Sequence, residues 1–369
     1  MRASPSLVAI VATAALTAAA PALAVSGGAA VDIKTVPFVA NLGSCTGTLI
    51  APDRVLTAAH CIDQGVGNRF ILTVGVANPD FANLPKADTY GVEGVSIAPG
   101  FKLSFPFAHK RPQNATAVND VALILLDRPV PDVTPVAIAG PNDAALEQPG
   151  AGVRLLGYGD TTPITPGVLP PRVPLQAGDL KLISKPSCLK AYPGAVLDTD
   201  ICGQDDSAPL TQPCPGDSGG PLLAQTPNGP VQIGVTSWGS EVKEKACGQA
   251  HLPAVWMRVS KFHDFLTAAN PVLLPFTQAK VTLSGKTTLT CHAPTFTGSP
   301  AKITYHWGIP RFKGHLIPQQ PHPLTAIKGA TKNTFKTGTS KTRGKKLACS
   351  VTATNASGHW TVYSPTVAG

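Results

Sequence analysis

The last 99 residues of this 369-residue chain contain neither aspartate nor glutamate, although they hold 12 lysines and arginines. Such a segment cannot neutralise its own charge by internal ion pairs. The first 270 residues carry 18 basic and 21 acidic side chains, a net of −3, so the formal +9 of the whole chain hides two unlike halves. That asymmetry implies two domains with different partners. Other absences narrow the chemistry. The chain has no C-x-x-C spacing and no paired histidine motif, which removes the usual signature of a zinc site, and no metal or cofactor is expected. His292, His306, His315, His322 and His359 are irregularly spaced and read as surface or packing residues. There is no internal repeat and no motif of a nucleic-acid-binding fold, so the basic charge does not indicate specific DNA or RNA recognition.

One apolar run stands at the start. Arg2 is followed by an alanine-rich stretch from Leu7 to Ala20 and by Ala22, Leu23, Ala24, an A-x-A cleavage pattern. Residues 1–24 therefore read as a secretory signal peptide. The run contains no length sufficient for a bilayer span, and no later stretch approaches one, so no transmembrane segment is expected. All eight cysteines lie beyond residue 24, an even number suited to disulfides in an oxidising compartment. The expected location is extracellular.

From Val31 to about Leu266 short apolar segments alternate with Gly, Pro and Asn: Phe70 to Val76, Val121 to Leu126, Val153 to Tyr158, Val231 to Ser237. Their spacing suggests an all-β barrel or sandwich. Val259, Phe262, Phe265 and Leu266 recur at helical spacing before Asn270 and Pro271, which predicts one short closing helix. A linker is expected at 271–276. Lys280 to Cys291, Ile303 to Trp307 and Leu347 to Thr354 again read as strands.

Three blocks carry chemistry. Leu56 to Cys61 read LTAAHC, Asn119 to Leu123 read NDVAL, and Cys214 to Pro221 read CPGDSGGP, with 60 residues from His60 to Asp120 and 98 from Asp120 to Ser218. A serine hydroxyl is a poor nucleophile unless a neighbouring base takes its proton, and the base works best when a carboxylate fixes its tautomer. In this order the blocks resemble the signatures of the chymotrypsin/trypsin-like serine endopeptidases, over roughly residues 25–268. The resemblance implies a double β-barrel over 25–270 that hydrolyses peptide bonds through an acyl-enzyme. Its triad would be His60, Asp120 and Ser218, with the N–H groups of Gly216 and Ser218 as the oxyanion hole.

The same resemblance implies the disulfides Cys45–Cys61, Cys188–Cys202 and Cys214–Cys247. Ser237, Trp238 and Gly239 are similar to the family's SWG strand, which pairs with extended substrate, and Ser237 would bond the buried Asp120. Val25 to Gly28 read VSGG where the family has IVGG, directly after the A-x-A site. The export cut would then create an α-ammonium on Val25 that pairs with Asp217. Six residues before Ser218, where trypsin-like members carry an aspartate, stands Gln212, and Ala254 stands where a pocket wall is commonly glycine. An amide cannot neutralise a buried guanidinium, so non-tryptic preference for an uncharged side chain is expected.

Beyond the linker, over 277–369, Cys291, Trp307 and Cys349 follow the Cys, Trp, Cys pattern of an Ig-like β-sandwich, with Leu347 where immunoglobulin domains carry the corner tyrosine. A Cys291–Cys349 bridge is expected. The densest charge, Lys341, Arg343, Lys345 and Lys346, suits anionic cell-surface polymers, so association with a cell wall is expected. Asn114 and Asn355 begin sequons to which no role is given. The rival reading is a catalytically silent adhesion protein that uses the protease fold as a scaffold.

Overall fold

The computed structural model describes residues 25–63, 71–78, 83, 85–104, 116–160, 174–207, 210–239, 247–248, 251–269, 279–285, 287–296, 300–310, 324–338, 342–355 and 358–369. The signal peptide 1–24, the linker 271–276, Phe70, Asn114, His315, His322 and Lys341 lie outside the described residues.

Six strands close the first barrel: β1 (Val39–Asn41), β2 (Thr46–Ala51), β3 (Arg54–Thr57), β4 (Ile71–Val74), β5 (Tyr90–Ile97) and β6 (Ala122–Leu126). Each pairs antiparallel with its neighbours in the ring β1-β2-β3-β6-β5-β4, which returns to β1. Their alternating apolar side chains fill the interior: Leu49, Val55, Leu56, Leu72, Leu123 and Ile124 are fully buried.

The second barrel uses β7 (Gly152–Gly157), β8 (Gln176–Ile183), β9 (Asp200–Gln204), β10 (Pro221–Thr226), β11 (Gly229–Trp238) and β12 (Ala254–Arg258). Its ring is β7-β8-β9-β12-β11-β10, again antiparallel and closed. The order of the first barrel is repeated strand for strand, although the sequence shows no repeat. Closure leaves neither barrel an open edge. Leu155, Leu222, Ile233 and Trp256 form the second core together with Val25.

Three short helices are relevant to the site. The helix α1 (Ala59–Asp63) follows β3 directly. Between β8 and β9 lies α2 (Lys185–Ala191), whose N-cap Ser184 accepts the N–H of Ser187 and whose first turn holds Pro186. The closing helix α3 spans His263–Thr267 after a 3-10 turn at Val259–Lys261, and Val259, Phe262, Phe265 and Leu266 are all buried as their spacing predicts.

Two further sheets follow. One joins β13 (Lys280–Ser284), β14 (Thr288–His292) and β17 (Thr334–Lys336); the other joins β15 (Lys302–Pro310), β16 (Leu324–Ala326), β18 (Lys346–Asn355) and β19 (Gly358–Tyr363). The Cys291–Cys349 disulfide links β14 to β18 and so fastens the sheets together. Trp307 lies opposite Cys349, is fully buried, and stacks on Phe335 of the other sheet at 5.5 Å. This is the packing of a β-sandwich. A backbone pairing of His359 with Ile97 joins β19 to β5 of the first barrel. Among the described residues no helix is long and apolar enough to cross a membrane.

Candidate active site

His60 is the second residue of α1, and the Cys45–Cys61 disulfide pins that helix to the residue just before β2. Asp120 lies just before β6 and has no solvent exposure. A left-handed Asn119 (φ 51) turns the chain before it, and the Asn119 amide is held by donating to Pro99 O at 2.7 Å. The carboxylate of Asp120 collects three donors. His60 N–H reaches Oδ1 at 2.8 Å, His60 Nδ1 reaches Oδ2 at 2.6 Å, and Ser237 Oγ reaches Oδ2 at 2.5 Å.

Burial alone would raise the pKa of Asp120. The His60 charge, the imidazole and Ser237 hydrogen bonds and the His60 N–H outweigh it and hold the carboxyl below its ordinary value. An ionised Asp120 accepts the Nδ1 proton, which leaves Nε2 as the ring nitrogen available to exchange a proton.

Ser218 sits in the turn before β10. Its carbonyl accepts the N–H of Thr46 at 2.8 Å, which ties the turn to the first barrel. The next residue must be glycine: Gly219 has φ +81, and a Cβ there would lie 2.1 Å from Thr57 Oγ1 and 2.4 Å from Thr46 O. Gly219 N–H in turn donates to Thr236 O on β11 at 2.7 Å. Both barrels therefore fix the position of Ser218.

Asp217 is fully buried, and its carboxyl accepts from Gly159 N–H at 2.8 Å and Cys214 N–H at 2.7 Å. Burial pushes its pKa up to about 8, against the opposing pull of those two N–H groups. Val25 is also fully buried, in the second core, and Ser26 forms a two-way backbone pairing with Gln212 at 3.0 and 3.2 Å. While Ala24 remains attached, the Val25 nitrogen is an amide and carries no charge.

A cavity of about 100 Å³ opens beside Ser218, lined by Gln212, Ser237, Trp238, Gly239 and Ala254 among others. None of its described lining residues is charged. The Gln212 amide donates to Leu252 O at 2.5 Å, and the Cys214–Cys247 disulfide secures the segments that bear Gln212 and Leu252. On the other side, Trp238 packs edge-on against Tyr192 at 5.0 Å, whose hydroxyl donates to Pro253 O at 2.6 Å. The Cys188–Cys202 disulfide ties α2, just before Tyr192, to β9.

The three sequence blocks thus meet: His60 and Asp120 are hydrogen-bonded, and the Ser218 turn is held by Thr46, which follows the cysteine bonded to Cys61. Thr46, Tyr192 and Thr236 were not singled out. Each bonds a backbone carbonyl far away in sequence, Gly216 O, Pro253 O and Gly220 O respectively, so no motif announces them, although Ser184 and Pro186 mark the helix that leads to Tyr192.

The trypsin family profile matches residues 25–266. Kallikrein 1-related peptidase b5 of Mus musculus is 32% identical over 225 residues, covering 60% of this chain and 78% of its own length. A trypsin of Saccharopolyspora erythraea is 29% identical over 246 residues, covering 65% and 95%. The solved structure of neuropsin, a serine protease of mouse brain, aligns with TM-score 0.48 and 25% identity over 64% of this chain and 95% of that one. With two closed six-stranded barrels and a family match over more than half its length, this chain belongs to the trypsin family and is a serine endopeptidase.

Proposed function

We propose that residues 25–270 cleave peptide bonds at Ser218 with a preference for an uncharged side chain before the scissile bond. The observation that carries this reading is the Asp120 carboxylate holding His60 Nδ1 and Ser237 Oγ beside an uncharged pocket that Ser218 itself lines. In the first half-reaction Ser218 Oγ bonds to the carbonyl carbon and His60 Nε2 takes the hydroxyl proton. The carbonyl electron pair moves to oxygen, where the N–H groups of Gly216 and Ser218 receive it, each such donor contributing about 3 kcal/mol at the transition state. The C–N bond then breaks, and His60 returns its proton to the leaving amine. Water repeats the sequence on the ester and frees Ser218.

Non-tryptic selectivity follows from Gln212. Its amide is engaged with Leu252 O, and burying a guanidinium against it without a counter-charge costs several kcal/mol. The export signal at 1–24 places the protein outside the cell, and cleavage after Ala24 frees the Val25 ammonium to pair with Asp217. The segment 277–369, joined by the linker 271–276, serves as an Ig-like module that holds the enzyme on anionic polymers of the cell surface. Its partners are thus protein or peptide substrates and those polymers.

A fluorophosphonate probe tests the central claim. The wild-type chain is expected to label at Ser218 and the Ser218→Ala variant to stay unlabelled. A silent, folded wild type overturns the reading in favour of the adhesion scaffold.

A further inference from the structure

Thr46, the first residue of β2, has no solvent exposure and spends every one of its polar groups on the catalytic turn or its supports. Its N–H donates to Ser218 O at 2.8 Å, and its carbonyl accepts the Thr57 hydroxyl at 2.9 Å. The Thr46 hydroxyl lies 3.2 Å from Tyr158 N and 2.9 Å from Gly216 O. Tyr158 N–H can only donate and Gly216 O can only accept, so the hydroxyl proton must point at Gly216.

The consequence follows from peptide geometry. Gly216 has φ +99, a region in which its flanking peptide planes would be free to reorient if nothing held them. The plane before it is fixed because Pro215 O accepts Asp160 N–H at 2.8 Å; in a trans peptide, Gly216 N–H then points the opposite way. The plane after it is fixed by the Thr46 hydroxyl on Gly216 O. Thr46 thus secures the carbonyls of both residues whose N–H groups are assigned to the oxyanion hole, Gly216 through its hydroxyl and Ser218 through its backbone N–H.

We infer that Thr46 is a positioning residue for transition-state stabilisation, its hydroxyl fixing the Gly216–Asp217 peptide that connects the Gly216 donor to the Ser218 donor; this rests on the proposed roles of Gly216 and Ser218. The hold does not involve the N-terminus. A hydroxyl that steadies the peptide between the two donors matters most when charge develops on the carbonyl oxygen, and much less when substrate merely docks.

The test compares the full-length wild type with Thr46→Val, which keeps the shape and removes the hydroxyl, and Thr46→Ser, which restores it. Rates are expressed per active site titrated with fluorophosphonate, so that misfolded protein drops out. Thr46→Val is expected to lower kcat about tenfold or more with KM within about twofold. A tetrapeptide aldehyde ending in leucinal, which forms an oxyanion on Ser218, should bind about tenfold more weakly, while the matching leucinol binds as before. Thr46→Ser should recover both kcat and aldehyde affinity. A Thr46→Val enzyme with kcat and aldehyde affinity within about twofold of wild type overturns the inference, as does equal loss of aldehyde and alcohol affinity. Wild type that neither labels nor binds the aldehyde defeats the reading beneath it and takes this inference with it.

Discussion

Asp217 and Asp120 are both fully buried carboxyls, and their surroundings drive them in opposite directions. The charge and hydrogen bonds of His60 keep Asp120 ionised, whereas among the described residues Asp217 has two N–H donors against the burial that raises it to about 8. In the chain that still carries residues 1–24, the native Asp217 therefore keeps a proton between about pH 4 and pH 8 that the unfolded chain has released. Protons are taken up on folding in that window, so stability falls as pH rises through it and the Asp217 contribution is gone above about pH 8. Thermal midpoints measured from pH 4 to pH 8 should decline in this chain and flatten in Asp217→Asn. They should also flatten in a chain that starts at Val25, where an ammonium beside the carboxylate would lower its pKa; an unchanged decline there removes the proposed pair. For Asp120 the expected defect is catalytic. Asp120→Asn should lower kcat by about four orders of magnitude, the size set by losing the correct imidazole tautomer, with little change in KM. The residues proposed as the triad stand out in the sequence because each sits in a short local motif, GDSGGP above all. Thr46 does not, because a hydroxyl serving a carbonyl 170 residues away leaves no local trace.

At the level of elements, alternation announces the strands, the resemblance of the three motifs supplies the double-barrel plan, and the matching strand order of the two barrels is seen only in the structure. Val153 to Tyr158 and Val231 to Ser237 announce β7 and β11 by alternation, since each strand shows one face to a barrel interior. The duplication of the ring order is invisible because a barrel asks only for inward apolar side chains and a fixed set of pairings, which many sequences satisfy. The seven-residue α2 escaped notice for another reason. It buries only Cys188, too little to build an apolar period, and its sole signal was the Ser184 cap with Pro186. In the C-terminal sheets the Cys, Trp, Cys spacing anticipated both the bridge and the indole packed beside it. That bridge closes a 58-residue separation between β14 and β18. Loop-closure entropy assigns it roughly 4 kcal/mol. A Cys291→Ala, Cys349→Ala double variant should lose about that much in denaturant unfolding of the C-terminal sheets, with peptide hydrolysis unchanged under native conditions. Loss of hydrolysis along with the bridge would mean that the sheets support the barrels more than the backbone pairing of His359 with Ile97 suggests.

For the whole molecule the division of charge is the feature with functional reach. The first 270 residues carry −3 and the last 99 carry +12, so an anionic surface attracts one part of the chain and weakly repels the other. On the proposed function this orients the enzyme, with the basic module against the polymer and the barrels away from it. The attraction is electrostatic and exposed, so salt must weaken it: the screening length falls from about 10 Å at 0.1 M to about 3 Å at 1 M. The full chain is expected to be retained on dextran-sulfate resin at 0.1 M salt and released well before 1 M. A chain ending at residue 270 should pass through at 0.1 M while hydrolysing a soluble peptide at the full-length rate, because every group assigned to the chemistry lies before that point. On substrate fixed to an anionic surface the two should differ, the full chain cutting faster at low salt and losing its advantage as salt rises. Equal retention of both chains, or an advantage that survives 1 M salt, would show that the acid-free segment is not what brings the enzyme to its surface.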